Sequence, residues 1–297
     1  MRGGRAIRGC VYALLLLGIA ACVVVWWDDL SQLWREHALT FVVAAMAMVA
    51  GIIVQAHNFR CFLPQPSAIG LWRLSHVWAL GALANYLGPF QPGLALRVLW
   101  LRSMDVTVGN SLLATWRQLS VSIWISLFGL SVGFMLSDPR RNAILALGFL
   151  VVFFAGYLLR GYLASLVEGL RRPVWVRTKK DVIAAAIRHF PAVGVLGVVA
   201  QYAIGTMLLW FVYRQFGAEV GLGQAVLMAC VVYVSTLVAV LPGNLGVLEA
   251  IYVLGGHATG LTAQESAALA LLLRAAQVVA SLALASMHAW NLPPDGD

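Results

Sequence analysis

The chain has 297 residues, of which 61% are hydrophobic and only 11% are charged, with a formal net charge of +8. A water-soluble domain is about half apolar and about a quarter charged, so this composition excludes a soluble globular protein and predicts an all-α polytopic membrane protein. The surplus lysines and arginines lie mostly between the apolar runs rather than on one soluble face, which excludes a nucleic-acid-binding domain.

The first apolar run follows three arginines that lie within the first eight residues. It covers about residues 10–27, which is longer than the apolar core of a cleaved signal peptide. We therefore expect an uncleaved first transmembrane helix. The next residues, 28–36, are rich in acids and are predicted to form a short polar loop. Because positive residues stay on the cytoplasmic side, we predict a cytoplasmic N-terminus and a bacterial-type inner (plasma) membrane.

Five further apolar runs have the length of a full span. We predict them at about residues 39–56, 111–136, 143–159, 193–213 and 264–288, which gives about six full spans with the first run. The whole chain, 1–297, is read as one transmembrane domain whose halves are about 1–159 and 191–290. The basic connection between them, about 160–190, begins with apolar residues at helical spacing, which predicts an amphipathic helix on the cytoplasmic membrane surface.

Two apolar segments are interrupted, one in each half of the chain. Residues 75–87 and 94–102 flank the first interruption, and the second divides the run 224–256. Such paired interruptions are typical of transporter binding sites, so we predict two broken or re-entrant helical hairpins, arranged as an inverted repeat, whose tips meet near the membrane midplane. The residues expected to break the helices are Gly88, Pro89, Pro92 and Gly93 in the first segment, and Pro242, Gly243 and Gly246 in the second.

Four charged residues are predicted to lie at depth in the membrane: Arg97, Arg117, Arg274 and Glu249. A charge at the bilayer centre costs at least about 2.5 kcal/mol, so such residues usually serve a function. Three arginines against one acid leave positive charge to spare, and the planar guanidinium matches a phosphate or a carboxylate. We therefore predict a site for an anionic group, with Asn85 and Asn244 as polar groups at the two breaks.

Each of these charges also has a simpler interpretation. Arg97 and Arg117 can extend to the membrane surface along their apolar stems. Arg274 and Glu249 can form a structural ion pair. The sequence alone leaves these alternatives open.

The sequence contains none of the common metal-ligand, phosphate-binding or nucleophile motifs. We therefore expect no metal site, no cofactor, no catalytic residues and no enzymatic activity.

The two interruptions carry a family resemblance. Asn85-Tyr86-Leu87-Gly88-Pro89, followed by Gly93 and Arg97, and Leu241-Pro242-Gly243-Asn244-Leu245-Gly246-Val247-Leu248-Glu249-Ala250 resemble the transmembrane region of lysylphosphatidylglycerol synthases and their stand-alone, flippase-like relatives. The resemblance extends over nearly the whole chain. It implies a module that moves a charged phospholipid between leaflets. Because the chain stops at Asp297, the resemblance implies lipid handling without the soluble aminoacyl-transfer domain.

We thus expect a flippase-like protein that binds and translocates an anionic lipid, either a phospholipid or a polyprenyl-phosphate-linked glycan precursor. The expected partners are anionic membrane lipids, and no nucleic acid. One alternative is a non-transporting scaffold for a membrane-associated glycosyltransferase or another lipid-pathway enzyme, docked on the basic residues 171–188. A minor alternative is a lipid-modifying enzyme that uses Glu249 as its base.

Overall fold

The computed structural model describes residues 27–63, 69–87, 92–169, 191–235, 244 and 246–289. Within these ranges the chain forms nine α-helices and one short 3-10 segment, Asn85–Leu87, and no strand. The all-α prediction is confirmed. The α-helices are α1 (Trp27–Phe62), α2 (Leu71–Ala84), α3 (Pro92–Arg102), α4 (Val108–Ser137), α5 (Pro139–Gly169), α6 (Ala192–Gln215), α7 (Leu222–Ser235), α8 (Val247–Ala258) and α9 (Ala263–Ala289).

Five of these helices contain a segment that is long and apolar enough to cross a membrane. The segments have 18 to 30 residues, which corresponds to about 27 to 45 Å of helix, against a hydrocarbon core of about 30 Å. They coincide with the five later spans predicted from the sequence: Arg35–Phe62, Val108–Ser137, Pro139–Gly156, Ala192–Gln215 and Ala263–Met287. The predicted first span, 10–27, lies outside the described residues except for Trp27.

Helix α1 corrects the prediction of a polar loop at residues 28–36. These residues are helical, and a kink at His37, whose conformation is non-helical (φ −128°, ψ 29°), separates them from the helix of the next span. The segment is polar, but it contains no glycine or proline and is rich in Leu, Gln, Glu and Arg, which have high helix propensity. The polar residues therefore form a helical segment of their own, joined to the span by the kink at His37, rather than a loop.

Helix α5 also continues beyond its predicted span. It is helical to Gly169, so the first part of the predicted connection 160–190 extends the preceding helix. The remainder, residues 170–190, lies outside the described residues.

The first interruption is a close helical hairpin. Helices α2 and α3 have 14 and 11 residues, too short to span the membrane. They approach so closely that a Cβ atom at Gly93 would overlap the carbonyl oxygen of Gly81. The Asn85 Oδ1 atom accepts a hydrogen bond of 2.8 Å from the Gly93 N–H, which satisfies one of the free donors at the start of α3. Pro92, the first residue of α3, has no N–H to satisfy.

The second interruption separates α7 from α8, which have 14 and 12 residues. Asn244 and Gly246 both adopt the left-handed backbone conformation, with φ of 57° and 82°. Asparagine and glycine are the residues that tolerate this conformation best. Among the predicted break residues, Pro92, Gly93 and Gly246 therefore lie at helix starts, whereas Gly88, Pro89, Pro242 and Gly243 lie outside the described residues.

Helix α9 connects the two interruptions. It packs against α2 of the first hairpin, against α8 of the second interrupted segment, and against α1. Helix α5, in contrast, packs mainly on α4 and exposes a nearly continuous apolar surface, which includes Ile144 and Leu158. Of the interrupted segments, α2 is therefore held in the interior of the bundle, while α5 faces outward.

A buried polar network joins α1, α4, α6 and α7. The Tyr202 hydroxyl forms a short hydrogen bond with Ser126 and donates another, of 2.9 Å, to the Ser122 carbonyl. The neighbouring Gln201 accepts at its side chain from Asn58 and at its backbone carbonyl from the Tyr233 hydroxyl, at 3.3 and 2.9 Å. Because unpaired polar groups are costly in a membrane, these bonds hold the four helices in one arrangement.

Candidate anion site at the two interrupted helices

Arg274 lies near the middle of the 25-residue span of α9, Ala263–Met287. Its Cα atom is therefore about 16 Å along the helix axis from the start of the span. The residue is only 7% exposed. A side chain at this depth is surrounded by protein rather than extended to the membrane surface, so its charge requires partners within the bundle.

All five N–H donors of the Arg274 guanidinium have acceptors. Nε and Nη2 bind the two carboxylate oxygens of Glu249 in a bidentate ion pair. Nη2 also donates to the backbone carbonyl of Asn244, at 3.1 Å. Nη1 donates to the Tyr86 hydroxyl and to the Gln277 Oε1 atom, both at 3.2 Å. Because guanidinium has five donors, a further ligand can bind Arg274 only by replacing one of these acceptors.

Glu249 lies in the first turn of α8. Its Oε2 atom accepts a hydrogen bond of 2.7 Å from the Gly246 N–H, the arrangement in which an acid at the third helical position satisfies the residue that precedes the helix. The positive end of the helix dipole favours the carboxylate there. The side chain of Glu249 is 31% exposed, compared with 8% for Arg274. Of the two charged partners, Glu249 is thus the accessible one.

The two interruptions converge on this ion pair. Tyr86 belongs to the 3-10 segment of the first hairpin, whereas Asn244 and Glu249 belong to the second interrupted segment. The Tyr86 hydroxyl also donates to Gln277, at 3.3 Å, and its ring lies 5.7 Å from the Arg274 Cζ atom. One guanidinium therefore connects three parts of the chain that are apart in sequence: the first hairpin, the second interrupted segment and α9.

Arg97 lies at a different place. Its Cζ atom is 4.8 Å from the centre of the Trp78 ring, and its stem packs against Gly81. Trp78 and Gly81 precede the hairpin tip by two turns and one turn of α2. The Arg97 Nε atom is buried and has no hydrogen-bond acceptor among the described residues. The described contacts of Arg97 and Arg274 share no residue, so this conformation does not place the two guanidinium groups on one set of partners.

Arg117 satisfies the end of another helix. Its Nη1 atom donates a hydrogen bond of 3.1 Å to the carbonyl of Phe62, the last residue of α1. A basic side chain at the carboxyl end of a helix binds a free carbonyl and favours the negative end of the helix dipole. Arg117 shares no described hydrogen bond with the Arg274 cluster.

The two predicted asparagines have different positions. Asn85 connects the arms of the first hairpin through Gly93. Asn244 gives its backbone carbonyl to Arg274, and its side-chain amide donates to the Ser235 hydroxyl at 3.4 Å.

Sequence reasoning missed Tyr86 and Gln277 as partners of Arg274. The available signals were the position of Gln277, three residues after Arg274 on the same helix face, and the position of Tyr86 beside the predicted break. Among the residues that the structure describes, no group of three or more His, Cys, Asp or Glu side chains is placed to hold a metal ion.

The fold and this cluster define the class of the protein: a polytopic α-helical membrane protein with two interrupted helices that meet at a buried, paired arginine. The family model of the lysylphosphatidylglycerol synthase transmembrane region matches residues 11–285, so the chain belongs to that family. It is a multi-pass membrane protein of a lipid-related family. No curated protein and no solved structure matches the chain.

Proposed function

We propose that this protein binds the anionic headgroup of a lipid, a phospholipid or a polyprenyl-phosphate-linked glycan precursor, and moves it across the inner membrane, with Arg274 as the binding group. The proposal rests on one observation above all, the Arg274 guanidinium held at mid-membrane depth by an acid that is itself partly exposed. A phosphate oxygen pair has the geometry of the Glu249 carboxylate and can replace it on the guanidinium. The family supports a lipid as the ligand.

The proposed cycle alternates between two partners of Arg274. In the empty protein Glu249 neutralises Arg274 and closes the contact between the two interrupted segments. An arriving headgroup takes the place of the carboxylate, and its departure allows the ion pair to form again. Arg97, which has no acid partner among the described residues, supplies positive charge one to two turns from the hairpin tip and favours an anion there.

The orientation belongs to the proposal as well. The arginines before the first apolar run support a cytoplasmic N-terminus, since positive residues stay on the cytoplasmic side. The protein acts as a carrier without chemical change to the lipid, so no covalently altered lipid is expected by mass spectrometry.

Reconstitution into liposomes tests this function. A fluorescent anionic lipid that dithionite bleaches only in the outer leaflet reports movement between leaflets. Arg274→Gln is expected to slow movement by at least about tenfold, since a charged hydrogen-bonding group contributes about 1.5 to 3 kcal/mol. Arg214→Gln is the matched control, because Arg214 is exposed at the end of α6 and lies over Trp210.

Arg274→Gln by itself leaves the Glu249 carboxylate without its partner, so a loss of transport in this variant can reflect misfolding. The double variant Arg274→Gln/Glu249→Gln contains no lone charge and is expected to fold and to remain inactive. If the folded double variant moves lipid at the wild-type rate, Arg274 does not bind the headgroup and the proposed function is wrong. If the wild-type protein moves no lipid but co-purifies with a glycosyltransferase, the scaffold alternative replaces it.

A further inference from the structure

The described part of the candidate site is electrically neutral. Arg274 carries one positive charge and Glu249 one negative charge, while the remaining direct partners of Arg274, Tyr86, Gln277 and Asn244, are uncharged. A singly charged headgroup that replaces Glu249 brings the total to one negative charge. Two anions would then share one guanidinium at mid-membrane depth, where an uncompensated charge is costly.

No second base among the described residues faces the carboxylate. On the elements packed against α8, the titratable and charged groups are Arg274, Glu265 and His288 of α9, and Tyr233 and Cys230 of α7. His288 lies 14 residues beyond Arg274, near the end of α9. Two tyrosines from other elements also lie nearby: Tyr86 of the 3-10 segment, which bonds Arg274, and Tyr213 of α6, whose hydroxyl donates to the Tyr252 carbonyl. On α8 itself they are Tyr252 and the exposed His257, two turns away at the opposite end of the helix. Glu265, near the start of α9, accepts hydrogen bonds from Thr262. Arg97 contacts Trp78 and Gly81 and shares no described contact with this cluster. Within the cluster, the group that can remove the extra negative charge is therefore Glu249 itself.

We infer that Glu249 takes up one proton when the headgroup displaces it from Arg274, so that one proton crosses the membrane with each singly charged lipid. The inference rests on the proposed function. The Gly246 N–H keeps hold of the carboxyl group after it leaves the guanidinium, and its partial exposure gives the proton access. The protonated carboxyl can accept from Gly246 and donate its O–H to the bound phosphate. Once the headgroup leaves, Arg274 attracts the carboxylate again and the proton is released on the far side.

The direction of the effect follows from this sequence of steps. Protonation of Glu249 accompanies loading, so low pH on the loading side favours loading. Deprotonation accompanies release, so high pH on the far side favours release. Lipid therefore moves from the acidic side to the alkaline side. Because the lipid and the proton carry opposite charges, the combined movement transfers no net charge and is independent of the membrane potential.

The test uses the full chain in liposomes that contain a trace of fluorescent phosphatidylglycerol, with the membrane potential held at zero by valinomycin and equal potassium. A gradient of about two pH units, acidic outside, is expected to enrich the label in the inner leaflet, up to a limit of about 100-fold at one proton per lipid. Pyranine trapped inside is expected to report acidification that depends on the lipid. Glu249→Gln is expected to lose the dependence on the pH gradient, whereas the matched control Glu265→Gln keeps it.

The outcomes separate the inference from the function on which it rests. Label that moves equally well with and without the gradient, with no pyranine signal, overturns proton coupling and leaves lipid translocation standing. Enrichment driven by a sodium or potassium gradient instead also overturns it. No movement of label under any gradient overturns both. The pyranine measurement on the wild-type protein decides the question even if Glu249→Gln does not fold.

Discussion

Replacing Glu249 by Gln while leaving Arg274 in place perturbs the ion pair that joins the two interrupted segments. The Arg274 side chain is 8% exposed, and its guanidinium loses the only negative charge among its direct described partners. Breaking a fully buried pair costs about 3 to 5 kcal/mol. Because Glu249 is 31% exposed and glutamine retains one acceptor oxygen, we expect a smaller loss, about 2 to 3 kcal/mol. The double variant Arg274→Gln/Glu249→Gln leaves no lone charge and is expected to recover more than half of this loss.

Thermal unfolding in detergent measures these differences. The chain contains 11 tryptophans, so intrinsic fluorescence reports the transition. At about 2 to 4 °C per kcal/mol, Glu249→Gln lowers the midpoint by about 4 to 12 °C. Glu265→Gln serves as the control, since the Glu265 side chain is exposed and its described bonds are to Thr262, the residue just before α9. If Glu249→Gln unfolds at the wild-type temperature, or if the double variant loses the sum of the two single losses, the ion pair does not hold the segments together.

Two further changes test the packing around the site. Gly93→Ala places a Cβ atom where the carbonyl oxygen of Gly81 lies, and it is expected to lower the free energy of unfolding by about 1 to 3 kcal/mol in the thermal assay. Gly109→Ala is the control, because nothing lies within 4 Å of the added atom there. An equal effect of both changes would contradict the close hairpin. Tyr202→Phe removes the hydroxyl that bonds Ser126 and is expected to lower the free energy of unfolding by about 1 to 3 kcal/mol in the same assay. An unchanged unfolding midpoint would show that the network does not hold the helices together.

The sequence was sufficient for the five described spans, and it offered the ion pair as one of two interpretations of Arg274 and Glu249. The bilayer imposes a length on each apolar run, and five predicted runs recur as helices at nearly the predicted positions. Glu249 and Arg274 were recognisable because an acid and a base at depth require each other. The interruption at Gly246 was recognisable because glycine permits the conformation that the chain adopts there.

The contacts of Arg97 and Arg117 could not be predicted from the sequence. Hydropathy gives the approximate depth of Arg97 and Arg117, but it does not give the direction in which a helix faces or the neighbour that it meets. The contact of Arg97 with Trp78, and the bond from Arg117 to the end of α1, depend on the packing of helices that are distant in the chain. Tyr86 reaches Arg274 across 188 positions of sequence, a contact that no local pattern predicts.

The order of the helices has a consequence for biosynthesis. Arg274 is costly to insert into a bilayer by itself, but Glu249 lies only 25 positions earlier, on the preceding helix. The acid and the base therefore leave the ribosome almost together, and α8 and α9 can enter the lipid as a neutralised pair. Tyr86 is synthesised 188 positions before Arg274. Helices α8 and α9 thus complete an arrangement whose first member, the hairpin with Tyr86, is synthesised much earlier.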